Sequence, residues 1–238
     1  MKIKQFRYNF PEIGDVFSYV LYDETTGDAL VVDGGAVEEI LAFLKEKNLT
    51  LRYITNTHGH ADHVCGNEEL EGATGIPCLT SEELLKTGSF MLGNSRVEPL
   101  RTQGHSDDSV TLRCGDILIT GDTLFAGTIG NCYTGDFTAY FGSLQKLLAL
   151  PAATRVYPGH DLRKYAMGVA KRLTPGNPYI KEYLAKHNPD DEWTTLGEEL
   201  LVNPFIRWNA TDLDLVRQRL EGPKETAFDR FRLLMELH

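Results

Sequence analysis

Residues 57–63 read THGHADH and place four candidate metal ligands, His58, His60, Asp62 and His63, within seven positions. The whole chain has seven histidines, so three of them share one short stretch. Solvated histidines scatter and core histidines usually come singly. A cluster this dense asks for a common partner, and a metal ion is the partner that imidazole and carboxylate suit. Further ligands of the same kind stand in GHSDDS (His105), GDTLF (Asp122) and YPGHD (His160). Each follows a strand-like run or a short extended segment, and so sits on a turn that a rigid sheet can hold in place. His58 and His60 are two apart and His63 follows Asp62 directly, so these side chains diverge and do not all face one ion. Two ions accommodate them: His58, His60 and His105 on one, Asp62, His63 and His160 on the other, with Asp122 as the bridge. Such ligands suit two divalent ions, zinc first, iron or manganese next.

Outward from this stretch, VFSYVLYD, ALVVDGG, LRYITNT, DILITGD and TRVYPGH are short, apolar and rich in β-branched or aromatic residues, as strands covered on both faces are. Between them, VEEILAFLKEKN sets Val37, Ile40, Leu41 and Leu44 on one helical face, and TAYFGSLQKLLAL does the same with Phe141, Leu144 and Leu148. After His160 the strand signals stop. DLRKYAMGVAKRL, NPYIKEYLAKHN, TTLGEELL, TDLDLVRQRL and ETAFDRFRLLMEL all read as helices, so an α/β part is followed by an all-helical one. SEELL, from residue 81, reads as a helix start with Ser81 as its cap.

The 34 acidic and 24 basic residues give a net charge of −10, which opposes a nucleic-acid partner. No stretch approaches the roughly 18 apolar residues of a membrane span, and none follows Lys2, Lys4 and Arg7, so a soluble, cytoplasmic protein is expected. Cys65, Cys78, Cys114 and Cys132 form no CxxC pair and read as reduced thiols. Cys132 reads as pocket lining, Arg101 as a surface residue, and His187 and His238 as solvated.

THGHADH, with His105, Asp122 and His160, resembles the HxHxDH signature and accompanying ligands of the metallo-β-lactamase superfamily, whose fold is an αββα sandwich. VVDGG resembles that superfamily's early aspartate-glycine motif, which implies that Asp33 orients the ligand loop; read alone, Asp33 is equally a strand-end turn residue. GDTLF, RVYPGH, PGNPYIKEYLAKH and TLGEELLVNPFIRWN are similar to segments of glyoxalase II, the hydroxyacylglutathione hydrolases. That resemblance implies a catalytic domain over residues 1–162 and a helical substrate-binding domain over residues 163–238. It also implies hydrolysis of a small-molecule thioester, such as S-lactoylglutathione, to a hydroxy acid and a free thiol.

In glyoxalase II, glutathione is held by a lysine and a tyrosine after the bridging aspartate, a tyrosine after the last metal histidine, and an arginine and a lysine in the last helix. The matching positions here are Asn131 and Tyr133, Leu162, and Arg232 and Met235. Asn131, Tyr133 and Arg232 are the substrate contacts so implied. Charge-assisted contacts are worth about 1.5–3 kcal/mol each, so the missing cations direct attention to a thiol carrier other than glutathione. The implied reaction is attack of a hydroxide on the thioester carbonyl. Asp62 orients the nucleophile, Asp122 bridges, and a thiolate of pKa about 8.5 departs without an obligatory acid. Two alternatives share the signature: a mononuclear iron persulfide dioxygenase using His58, His105 and Asp122, against which the helical tail and NPF segment argue, and a metal-stabilised module that only binds a thiol ligand.

Overall fold

A computed structural model describes residues 1–238, the side chains of Leu215 and Arg217 excepted. The chain begins β1 (Lys2–Phe10), β2 (Gly14–Tyr22), β3 (Asp28–Val32), α1 (Val37–Glu46), β4 (Thr50–Thr55), α2 (Ala61–Val64) and α3 (Asn67–Thr74). It continues β5 (Cys78–Leu79), α4 (Ser81–Thr87), β6 (Phe90–Leu92), β7 (Ser95–Arg101), β8 (Val110–Cys114), β9 (Ile117–Gly121), α5 (Phe137–Leu148) and β10 (Arg155–Pro158). The rest is α6 (Arg163–Leu173), α7 (Tyr179–Ala185), β11 (Thr194–Thr195), α8 (Leu196–Val202), a 3₁₀ turn (Thr211–Leu213), α9 (Asp214–Arg219) and α10 (Ala227–Met235).

Two mixed sheets result, in the orders β1-β2-β3-β4-β5 and β11-β10-β9-β8-β7-β6. Their pleat explains why the strands read as continuous apolar runs. Phe17, Tyr19 and Leu21 of β2 and Leu30 and Val32 of β3 face Val110, Leu112, Cys114, Ile117, Ile119 and Tyr157 across the sandwich. The alternate residues Val20, Ala29 and Val31 turn outward onto Val37, Ile40 and Leu44 of α1. On the far side Leu118 and Val156 turn outward onto Tyr140, Leu144 and Leu147 of α5 and onto the C-terminal helices. The layers are therefore αββα.

Local signals set the element ends. Helix α1 stops where Asn48 takes a left-handed φ of 52°, a conformation asparagine tolerates. Asp136 caps α5 by accepting from Ala139 N at 2.9 Å. Helix α4 starts one residue earlier than expected: Thr80, not Ser81, is the cap, in a reciprocal capping box with Glu83. Strand β1, which carries no sequence signal of its own, pairs along β2 from Lys2 opposite Tyr22 to Phe10 opposite Gly14. Its Lys2, Lys4 and Arg7 break the apolar pattern because this is an edge strand, where charge deters further pairing.

The segment after residue 162 is helical, as expected, with one exception. Thr194–Thr195 adds strand β11 to the second sheet beside β10. The buried Arg163 holds the approach to it, donating from Nε to Glu192 Oε1 (2.6 Å), from Nη1 to Tyr183 O (3.0 Å) and from Nη2 to Trp193 O (2.6 Å). Val169, Leu196, Phe205, Trp208, Phe231 and Leu234 of the same segment share one core with Leu118, Val156 and α5. The expected boundary at residue 162 thus divides elements, while the core runs across it. Among the described residues, no helix is long and apolar enough to cross a membrane.

Candidate metal centre

The ligand candidates sit at strand ends or just beyond them. The stretch 57–63 follows β4 and enters α2; His105 lies on the loop between β7 and β8; Asp122 follows β9 and His160 follows β10. Adjacent strands of one sandwich thus bring together residues spread over about a hundred positions.

They converge in groups whose candidate donor atoms lie within 4.8 Å of one another: His58, His60 and His105 in one, Asp62, His63 and His160 in another, and His58, His63 and Asp122 in a third that joins them. In the first, His60 Nδ1 lies 2.9 Å from His58 Nε2 and 3.1 Å from His105 Nε2. In the second, Asp62 Oδ2 lies 3.4 Å from His63 Nε2 and 3.3 Å from His160 Nε2. Asp122 stands between: Oδ1 is 3.4 Å from His63 Nε2, while Oδ2 is 3.5 Å from His105 Nε2 and 3.4 Å from His160 Nε2. Asp62 points into this cluster, and the extended residue before α2 is His60.

The outer ring nitrogens of four of the five histidines are tethered, so their inner ones are aimed. His58 Nδ1 meets Thr57 Oγ1 at 3.1 Å, His63 Nδ1 meets Asp33 Oδ2 at 3.0 Å, His105 Nδ1 meets Asn131 O at 3.0 Å, and His160 Nδ1 meets Asp15 O at 2.9 Å. Asp33 is fully buried and also accepts from Thr57 N and Thr57 Oγ1, each at 2.7 Å. Its φ of 52° is the strained turn its Gly34 and Gly35 neighbours announce, so it is turn residue and orienting residue at once. Gly159 is required by proximity: a Cβ there would lie 2.2 Å from Asp122 Oδ1.

The donor set and its unmet valences both fit cations. His63 Nε2 and Asp122 Oδ1 are buried and have no hydrogen-bond partner. Electrostatics carry the same message. Burial, with help from His63, pushes His58 down to about 3. Burial also opposes charge on His160, yet Asp122 and Asp62 hold it up to about 9. His63 is raised well above the usual range against the same penalty, by Asp122 and Asp33. Asp122 is held well below the carboxylate range, His63 and His160 overcoming its burial. Protons on buried imidazoles here balance carboxylates that divalent ions could balance in their place.

A cavity of about 350 Å³ opens over the cluster. His60, Asp62, His105, Asp122 and His160 line its base, and Asn131 and Tyr133 stand at its side. Leu162, Tyr165 and Val169 of the α6 region, and Phe205, Leu237 and His238 from further along, complete the wall.

Several expectations need correction here. His238 is not free in solvent: its Nδ1 meets Asn131 Oδ1 at 3.0 Å, its Nε2 lies 2.6 Å from Ile129 O, and its ring packs on Phe205 at 4.7 Å. His187 is partly buried, with Nε2 2.9 Å from Asp161 Oδ2. Asp161, His187 and Glu192 form a further cluster of potential ligands, in which Arg7 pairs with Asp161 and Arg163 with Glu192 Oε1, while Glu192 Oε2 has no hydrogen-bond partner. Cys132 does not line the cavity and packs against the core beneath α5. Arg232 is exposed on α10 and lines a separate depression with Asp229 and Glu236, and Met235 packs into the core. Helix phase decides this, because α10 turns Phe231 and Leu234 inward. Arg101 is a surface residue as expected, 3.7 Å from Glu82.

Sequence reading missed Tyr8, Tyr165 and Leu237. Tyr8 donates to Asp62 O, and its ring occupies the space that a side chain on Gly35 would fill. Gly35 was the available signal.

The family model of the metallo-β-lactamase superfamily matches residues 12–85 and 76–160. A hydroxyacylglutathione hydrolase of Brucella anthropi is 32% identical over 240 residues, covering 92% of this chain and 91% of its own. Among solved structures, ETHE1 from Myxococcus xanthus superposes with a TM-score of 0.65 at 22% identity, covering 100% of this chain and 98% of its own. TTHA1623 in a di-iron-bound form superposes with a TM-score of 0.59 at 25% identity, covering 84% of this chain and 99% of its own.

Proposed function

The chain belongs to the metallo-β-lactamase superfamily and, within it, to the hydroxyacylglutathione hydrolases, and on that premise we propose that it hydrolyses a small-molecule thioester at a two-metal centre. The observation that carries the reading is the division of seven donors into two groups joined by Asp122, directly beneath a cavity. His58, His60 and His105 would hold one ion, Asp62, His63 and His160 the other, and Asp122 both. Bound there, two divalent ions supply Lewis acidity toward the carbonyl and an acidified water as nucleophile at neutral pH.

The chain's own residues do the remainder. Asp62 accepts and orients the proton of the attacking water, and Asp33 keeps the His63 proton on Nδ1, so that Nε2 presents its lone pair. Asn131 and Tyr133 contact the substrate at the cavity mouth. The departing thiolate, of pKa about 8.5, needs no protonation to leave, and this accords with the want of a dedicated acid beside the cluster. Zinc is the first candidate metal, with the di-iron relative keeping iron beside it. Four unpaired cysteines suit a reducing compartment, so the proposed setting is the cytoplasm.

Use of His58, His105 and Asp122 alone, as in a mononuclear oxygenase, leaves Asp62, His63 and His160 gathered without purpose, and the likeness to ETHE1 is one of fold. The test is metal content followed by thioester hydrolysis. Two equivalents and chelator-sensitive cleavage support the reading; one equivalent of iron with oxygen uptake and no cleavage would end it.

A further inference from the structure

The cavity wall bears on which thiol the thioester contains, and this inference rests on the hydrolase reading above. Away from the ligand cluster the wall is mostly apolar, with Phe125, Ile129, Leu162, Val169, Phe205 and Leu237 beside Thr128, and no described lining residue is Lys or Arg. Its mouth is ringed by three of the chain's exposed large apolar residues: Ile13 at 58%, Tyr133 at 68% and Tyr165 at 67% of their full exposure. Exposed apolar side chains gathered around a concave site mark a binding surface.

The polar side chains of the wall away from the ligand cluster include Thr128, Asn131, Tyr133 and His238. Asn131 Nδ2 donates to Tyr133 OH at 3.0 Å, and its Oδ1 meets His238 Nδ1 at 3.0 Å. The His238 ring sits between Asn131 Oδ1 and Ile129 O, and burial lowers its pKa from the usual histidine value. A carrier with ionised groups would set them against apolar side chains with no Lys or Arg among the described lining residues to pair with, at a desolvation cost. The chain's net charge of −10 adds repulsion for an anionic carrier. Neutral dipoles are the partners an amide or hydroxyl recognises.

We propose that the substrate is a thioester of an uncharged thiol, its arm apolar or amide-bearing, seated between the Leu162–Tyr165–Val169 face and the Asn131–Tyr133–His238 group. Glutathione, with two carboxylates and an ammonium, is the poorer carrier.

The test uses the two-metal protein and three lactoyl thioesters that differ in the thiol: N-acetylcysteamine (neutral), glutathione (anionic) and 2-(dimethylamino)ethanethiol (cationic). The expected result is a kcat/KM at least tenfold higher for the neutral thioester, nearly unchanged between low and high salt. Equal or better turnover of either charged thioester overturns the proposal. If no thioester is cleaved, the hydrolase reading fails by itself. Binding of the free thiols, followed by ligand-observed NMR, then decides the wall: tighter N-acetylcysteamine upholds the neutral subsite and tighter glutathione overturns it. Tyr165→Arg, on an exposed helix position, is expected to move the ratio toward glutathione at least threefold. An unchanged ratio would mean the wall does not read charge and would overturn the proposal too.

Discussion

Asp33→Asn tests how the buried carboxylate beneath the cluster works, because it changes one charge and almost no volume. In the native protein Oδ1 accepts from Thr57 N at 2.7 Å, and Oδ2 accepts from Thr57 Oγ1 at 2.7 Å and from His63 Nδ1 at 3.0 Å. The asparagine oxygen can keep the backbone bond, and the Thr57 hydroxyl can rotate to accept. His63 cannot adapt, since an amide N–H would face its Nδ1–H. The neutral ring must then carry its proton on Nε2, the atom that lies 3.4 Å from both Asp62 Oδ2 and Asp122 Oδ1 and points into the cluster. A charge-assisted hydrogen bond is worth about 1.5–3 kcal/mol, which converts to roughly 10–100-fold in metal affinity, the range expected when a ligand's outer partner is lost. The expected outcome is a folded protein that retains one equivalent of metal tightly and binds the second 10–100-fold more weakly in chelator competition, with hydrolysis lowered in step. Two equivalents held at native affinity would refute the claim that Asp33 acts by fixing the His63 proton.

Three further outcomes follow from the same geometry. Gly159→Ala sets a Cβ 2.2 Å from Asp122 Oδ1 and 2.9 Å from His63 Cε1. The carboxylate must swing aside, and because a displacement of about 1 Å can cost 10²-fold, hydrolysis is expected to drop at least that far while circular dichroism stays native. Arg163→Ala strips the buried Glu192 of its partner and leaves Tyr183 O and Trp193 O short of a donor. A loss of about 3–5 kcal/mol is expected in urea titrations. For pH, the metal-free His160 is raised from 6.5 to about 9, so its stabilisation is complete below about 6.5 and is lost as pH climbs through 9. Metal must displace that proton. Loading at pH 7 should therefore release protons, seen in calorimetry as a dependence on buffer ionisation enthalpy, and apparent affinity should rise with pH across that window.

The ligand set is legible in sequence because each member reports locally: THGHADH by its density, and His105, Asp122 and His160 by their places just beyond strand-like or extended runs. The sandwich is legible for the same reason, since a strand buried on both faces must be apolar throughout. Strand β1 is not, because an edge strand with Lys2, Lys4 and Arg7 has no such pattern, and its contribution to the centre, Tyr8, goes with it. The substrate contacts are the least legible. His238 and His187 look solvated until chain segments more than a hundred and more than twenty positions away, at Asn131 and Asp161, fold against them. Arg232 lies off the cavity through helix phase, a property of how α10 packs that alignment of residue types does not carry.

That difference in legibility has a functional counterpart. The donors and their tethers come from strand-end loops of one rigid sandwich, where Asp33, Thr57 and Gly159 leave little freedom for change without loss of the centre. The cavity wall is assembled from the α6 region, the turn after α8 and the end of the chain, and its apolar members Leu162, Val169, Phe205 and Leu237 have no polar side-chain group to fix their identity. Substitution at Leu162, Tyr165 or Leu237 therefore alters which thiol can be seated while leaving the geometry around Asp122 intact. A family built this way can keep one hydrolytic centre and change its carrier by redrawing the wall. The wall of this chain, with no Lys or Arg among its described lining residues, is where such a change would be expected to show.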